Sequence, residues 1–229
     1  MEDIDAIAAL QDPVRRRLYE YVAAQGREVG RNEAAEAAGV ARTLAAHHLD
    51  RLTEAGLLES GSRRLTGRSG PGAGRPAKVY TRAPGERSVS LPARDYRTAA
   101  ELLAEAAERA GLDAGLRAAA RRRGEALRGP AAPCGALEEA VEVLAARGYE
   151  PHLEIPEDAE GAAGADARVV RMRNCPFHAV AESFPPLVCG MNLALLEGLL
   201  GADGPVRARM DARPGECCVV VENSKNNDH

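Results

Sequence analysis

The chain has 229 residues, of which 45% are hydrophobic, 28% charged and 3% aromatic, with no Trp and five cysteines. That length and balance exclude a disordered or collagen-like chain and leave room for one large domain or two modest ones with their own cores. A formal net charge of −4 excludes a uniformly basic nucleic-acid binder, and the scarcity of aromatic rings argues against a base-stacking platform for single strands.

The opening MEDIDAIAAL is acidic and lacks the basic start and apolar stretch of a secretory signal. The most apolar later window, 187–200, is short and contains Asn192 and Glu197. A cytoplasmic protein without a membrane partner is the expectation. Up to residue 90 Lys and Arg outnumber Asp and Glu by 14 to 12, whereas afterwards the ratio is 16 to 22. Within 61–90, Arg63, Arg64, Arg68, Arg75, Lys78, Arg82 and Arg87 face Glu86 alone, so the positive charge is a local patch.

Asp12 as N-cap, Pro13 at the first helical position and the spacing of Val14, Leu18, Tyr21 and Val22 predict a helix over 12–24. An Ala-rich helix over 31–38 ends at Gly39, a residue suited to a tight turn between crossing helices. A third helix over 42–55 places Leu44, His48, Leu49 and Leu52 on one face, leaves Arg42, Thr43, Ala46, His47, Asp50 and Arg51 outward, and stops at Gly56. LLESGSRRLT and AKVYTRA then read as strands flanking the loop GRSGPGAGRP. Three helices followed by a basic hairpin make a winged helix-turn-helix, whose partner is a double-stranded DNA operator. Arg42, Thr43, His47 and Arg51 are expected at the major groove, and Arg63, Arg64, Arg68 and Arg75 at phosphates or the minor groove.

Residues 93–128 read as helical, with Leu102, Leu103, Ala106, Ala107 and Ala110 on a stripe that suits contact between protomers or a solvated connector. After a linker at 130–134 come a helix over 137–147, strands YEPHLEI and RVVRMRN, a helix over 186–200 and strands VRARMDA and CCVVV. The expected class is α+β, divided into a winged helix over 1–90, a helical linker or dimerisation region over 91–130, a small α/β sensor domain over 131–222 and a disordered tail over 223–229.

Cys175, Cys189, Cys217 and Cys218 lie in the final quarter without any CxxC pair, so a zinc knuckle is not the first reading. Three of these positions fall at predicted element ends, where side chains from distant segments converge. Thiolates are the ligands of iron-sulfur clusters and soft metals. Strand alternation groups Cys217 with Val219 and Val221, and Cys218 with Val220 and Glu222, which points Cys217 inward and makes Cys218 the second choice. His178, three residues past Cys175, and solvent are the candidates for a fourth ligand. Cys134 stands apart and reads as a small buried residue. A thiol enzyme with Cys175 as nucleophile and His178 as base lacks any recognisable third group, so no catalysis is expected.

TLAAHHLDRLTEAGLLE followed by GRPAKVY resembles the winged-helix segment of ArsR-like regulators, and RNCPFHAVA, LVCGMNLALLEGLL and PGECCV are similar to the C-terminal part of SufR-type iron-sulfur repressors. The resemblance spans Asp12 to Val221. It implies a homodimeric repressor that binds a palindromic operator, holds a [4Fe-4S] cluster on three cysteines and controls iron-sulfur assembly genes. Carried over, those cysteines are Cys175, Cys189 and Cys217, with Cys218 the alternative to the last. The rival reading of the same residues is a thiol-disulfide switch or a zinc or soft-metal sensor.

Overall fold

The computed structural model describes residues 2–63, 76–156 and 168–224. The chain divides into two compact units, Met1–Arg94 and Asp95–His229.

The first unit opens with α1 (Glu2–Ala9), a helix the sequence pattern did not announce, which buries Ala6. The Asp12 carboxylate accepts from the Val14 and Arg15 N–H groups at 2.9 Å and starts α2 (Pro13–Gln25) as expected. The two-residue strand β1 (Val29–Gly30) leads into α3 (Arg31–Ala38), which closes at Gly39 with φ 65°, a left-handed turn that only glycine adopts without strain. Then come α4 (Arg42–Glu54), β2 (Leu58–Arg63) and β3 (Ala77–Arg82), and the antiparallel sheet runs β1-β3-β2. Leu18, Val22, Leu49, Leu52, Leu57 and Tyr80 form the core. One expected core position is different: Leu44 is 41% exposed, and Ala45 takes its place beside His48, Leu49 and Leu52. Asp50, expected to point outward, is tied into the unit by three hydrogen-bonded partners described below.

In the second unit, the helical stretch after residue 93 is two helices, α5 (Tyr96–Arg109) and α6 (Asp113–Arg128). They are followed by α7 (Leu137–Ala145), β4 (Pro151–Glu154), β5 (Val169–Met172), α8 (His178–Ala181), α9 (Pro185–Leu200), β6 (Val206–Met210) and β7 (Val219–Asn223). The sheet order is β4-β5-β7-β6, every pairing antiparallel, so this part is α+β rather than α/β. Asn223 pairs with Val206, which carries ordered structure past the expected boundary at 222, and the rest of the predicted tail, 225–229, lies outside the described residues.

Val170, Met172, Val219 and Val221 pack with Leu137, Ala140 and Leu144 of α7 and Leu196, Leu199 and Leu200 of α9, and Cys134 is buried among them. A separate connector over 91–130 is not what the chain forms, because α6 lies directly on α9. A Cβ at Gly124 would stand 2.1 Å from the Leu195 carbonyl oxygen, and one at Gly198 2.2 Å from that of Arg121. Only two facing glycines permit backbones this close.

Candidate functional site

The four C-terminal cysteines come from the turn after β5, from α9 and from the residues just ahead of β7, and they meet as two pairs. Cys175 and Cys217 are in side-chain hydrogen-bonding contact, and Cys189 is joined to Cys218 as a disulfide with Cα atoms 6.4 Å apart. Cys217 and Cys189 are buried, whereas Cys175 and Cys218 are partly so. Cys217 points inward with Val219 and Val221 as strand alternation predicts. Cys218 turns to α9, where it meets Cys189.

A polar chain ends on Cys217. The Tyr149 hydroxyl donates to Asn192 Oδ1 at 2.6 Å, and Asn192 Nδ2 donates to Cys217 Sγ at 3.4 Å, both inside the core. The Cys217 thiol is pulled below its usual range by its bond with Cys175, against burial, with further help from the Val219 N–H and the Asn192 amide. Cys175 is pushed up by the same bond and by burial. Tyr149 is also raised, chiefly by burial and then by the neighbouring thiols, and stays a hydroxyl donor. His178 is not part of this group: its ring is exposed, 3.4 Å from Glu182.

In the first unit, Arg42, Thr43, Leu44, His47 and Arg51 are all exposed on α4. Arg51 pairs with Glu54 at 2.9 Å, and Arg63 on β2 pairs with Glu28 at 3.2 Å. Arg64, Arg68 and Arg75 lie outside the described residues. An open cleft of about 1210 Å³ runs between the start of α3 and the β2–β3 hairpin, and Arg27, Arg31, Arg42, Arg63 and Lys78 line it. Among the described residues Arg42 is without an acidic partner.

Asp50 accepts from Tyr80 Oη at 2.7 Å, from Lys78 Nζ at 2.8 Å and from Arg31 at 3.2 Å, which locks α4 to α3 and to the hairpin. Burial works to raise the Asp50 carboxyl, but the Lys78 and Tyr80 bonds hold it below its usual range. Tyr80 is pushed up to about 12 by burial and by its bond to Asp50. His48 is buried under α4 with Nδ1 unbonded, and burial lowers its pKa.

Residues 10–61 match a protein-family model described as a helix-turn-helix domain. The chain is a DNA-binding transcriptional regulator. No curated protein and no solved structure matches it.

Three of these contacts have no signal in the sequence pattern. Asn192 registered only as an interruption of an apolar window, Asp50 as one more outward residue, and Tyr149 as a strand residue. A fourth lies on the sheet face opposite the core, where His152, Glu154 and Glu216 bring ligand atoms within 4.8 Å of one another. The buried Arg171 guanidinium faces the same carboxylates at 3.7 and 3.8 Å and bonds Asp211 at 2.7 Å, so these acids already have their countercharge. Among the described residues no helix is long and apolar enough to cross a membrane.

Proposed function

We propose that the regulator is a homodimeric winged-helix repressor that reads iron-sulfur or redox status at its cysteine group and controls iron-sulfur assembly genes. The observation that carries this reading is a pair of cysteine contacts, Cys175 with Cys217 and Cys189 with Cys218, brought side by side along the chain by the adjacent Cys217 and Cys218. The donor set suits a [4Fe-4S] cluster once the Cys189–Cys218 bond is reduced: thiolates are soft ligands, Cys175 and Cys217 border an apolar core, and an amide N–H is aimed at Cys217. Cys175, Cys189 and Cys217 would hold it, with Cys218 the alternative to Cys217. When bound, the cluster supplies one-electron chemistry and sensitivity to oxidants.

The chain's own residues supply the rest. Asn192 orients Cys217, and α9 carries Cys189 next to Gly190, against which the Arg117 guanidinium of α6 rests. Arg97 of α5 donates to the Ala179 carbonyl of α8 at 3.5 Å, so the turn bearing Cys175 connects to α5. Helix α5 buries none of its residues and leaves Tyr96, Leu102 and Leu103 exposed, which fits a contact with a second protomer.

Anaerobic purification followed by iron and acid-labile sulfide analysis tests the reading. About four of each per chain, lost in Cys175→Ser and Cys217→Ser, is the expected result. The Cys189–Cys218 bond favours a second reading, a thiol-disulfide switch. That switch contains neither iron nor sulfide and loses free thiols on oxidation, and a zinc sensor contains zinc alone.

A further inference from the structure

A large aliphatic side chain stands on the exposed face of α4. Leu44 occupies the first turn of the helix, between Arg42 and Thr43 on one side and His47, one turn on, on the other. The core position beside it is filled by Ala45, fully buried, so the larger residue is outside and the smaller one inside. Packing within the unit does not account for this arrangement, since the reverse order would bury more apolar surface. Other large apolar residues of the chain are exposed too, but Leu44 is the one that stands on α4. In a helix-turn-helix the second helix enters the major groove with its N-terminal residues at the base edges. The groove offers one apolar feature to such a side chain, the thymine C5-methyl.

We infer that Leu44 is a specificity-determining residue that packs against a thymine methyl in each operator half-site. The inference rests on the DNA-binding reading of the helix-turn-helix and deepens it. The occupant is duplex DNA, because α4 is the second helix of the helix-turn-helix and Arg42, beside Leu44, has no acidic partner among the described residues. Thr43 and His47 share the ridge and supply polar contacts to neighbouring base edges, while Leu44 supplies the apolar one. Within the first turn of α4, Leu44 presents the largest exposed apolar surface to a thymine methyl.

The test uses the full chain and an operator recovered by selection from random duplexes. Each thymine of a half-site is replaced in turn by uracil, which deletes the methyl and keeps every hydrogen-bonding group. For the wild-type chain one position is expected to lose affinity by about fourfold, the worth of one buried methyl. Leu44→Ala, at an exposed site and with a strong helix former, keeps the fold. It is expected to bind the thymine operator about fourfold more weakly and to be indifferent to uracil at that position. A wild-type chain indifferent to every uracil, or a Leu44→Ala chain that keeps the discrimination, overturns the inference while leaving DNA binding intact. Failure to enrich any duplex overturns the DNA-binding reading itself, and this inference with it.

Discussion

The two units bury different things. In Met1–Arg94 the core is apolar apart from His48 and the Tyr80 hydroxyl, and the functional side chains stand outside on α4 and the hairpin. In Asp95–His229 the functional groups are inside: Cys217 and Asn192 lie in the core, and α9, which carries Asn192, is pressed onto α6 by facing glycines. A surface site tolerates substitution without loss of fold, whereas a buried one ties its chemistry to packing. DNA reading is therefore separable from stability in this molecule, whereas the proposed sensing chemistry is not.

The largest expected effect breaks the second unit. Gly198→Ala forces a methyl against the Arg121 carbonyl and cannot be relieved by a rotamer change, so a loss of at least about 2 kcal/mol is expected by chemical denaturation. Iron loading should fall with it. Next comes a pair of substitutions that separates packing from sulfur chemistry. Asn192→Leu alone strands the Tyr149 hydroxyl in the core and costs about 1–3 kcal/mol, while the double variant with Tyr149→Phe removes both partners and returns to near wild-type stability. If the amide acts on Cys217, the double variant still assembles less iron than the wild type at equal stability. Equal iron would assign the polar chain to packing.

Smaller effects belong to the first unit. Arg42→Ala should leave unfolding unchanged and reduce the salt dependence of operator binding by about one unit of slope. Arg51→Ala should reduce it less, since Glu54 already pairs with Arg51. The weakest effect is a titration. Because burial depresses the His48 pKa, the unfolded chain binds a proton that the folded one does not as pH falls below the ordinary value of 6.5. Stability of the first unit is therefore full above that pH and declines below it. His48→Gln should flatten that decline in pH-dependent denaturation.

The same contrast decides what the sequence disclosed. Asp12, Pro13 and Gly39 are local signals with local consequences, and they place α2 and α3 correctly. Leu44 was misplaced because helical spacing admits it to the apolar face as readily as Ala45, and an Ala carries little hydrophobic signal. The two-residue β1 is too short for any pattern, and its pairing with β3 links residues fifty positions apart. In the second unit the grouping of cysteines was legible, since residue type and proximity along the chain suffice. Their partners were not, because Cys189 and Cys218 meet across 29 residues and Asn192 acts across 25. The order β4-β5-β7-β6 likewise depends on pairings that leave no local trace.

Under the proposed function, the state of the cysteines governs DNA binding. Operator affinity of one anaerobic preparation, measured before and after chelation and oxidation, tests it most directly when iron and sulfide are counted on the same sample. The account predicts a change in Kd of at least about tenfold, equivalent to about 1.4 kcal/mol of coupling, in the wild type and none in Cys175→Ser/Cys217→Ser. A Kd that stays constant while the thiols change state would contradict it.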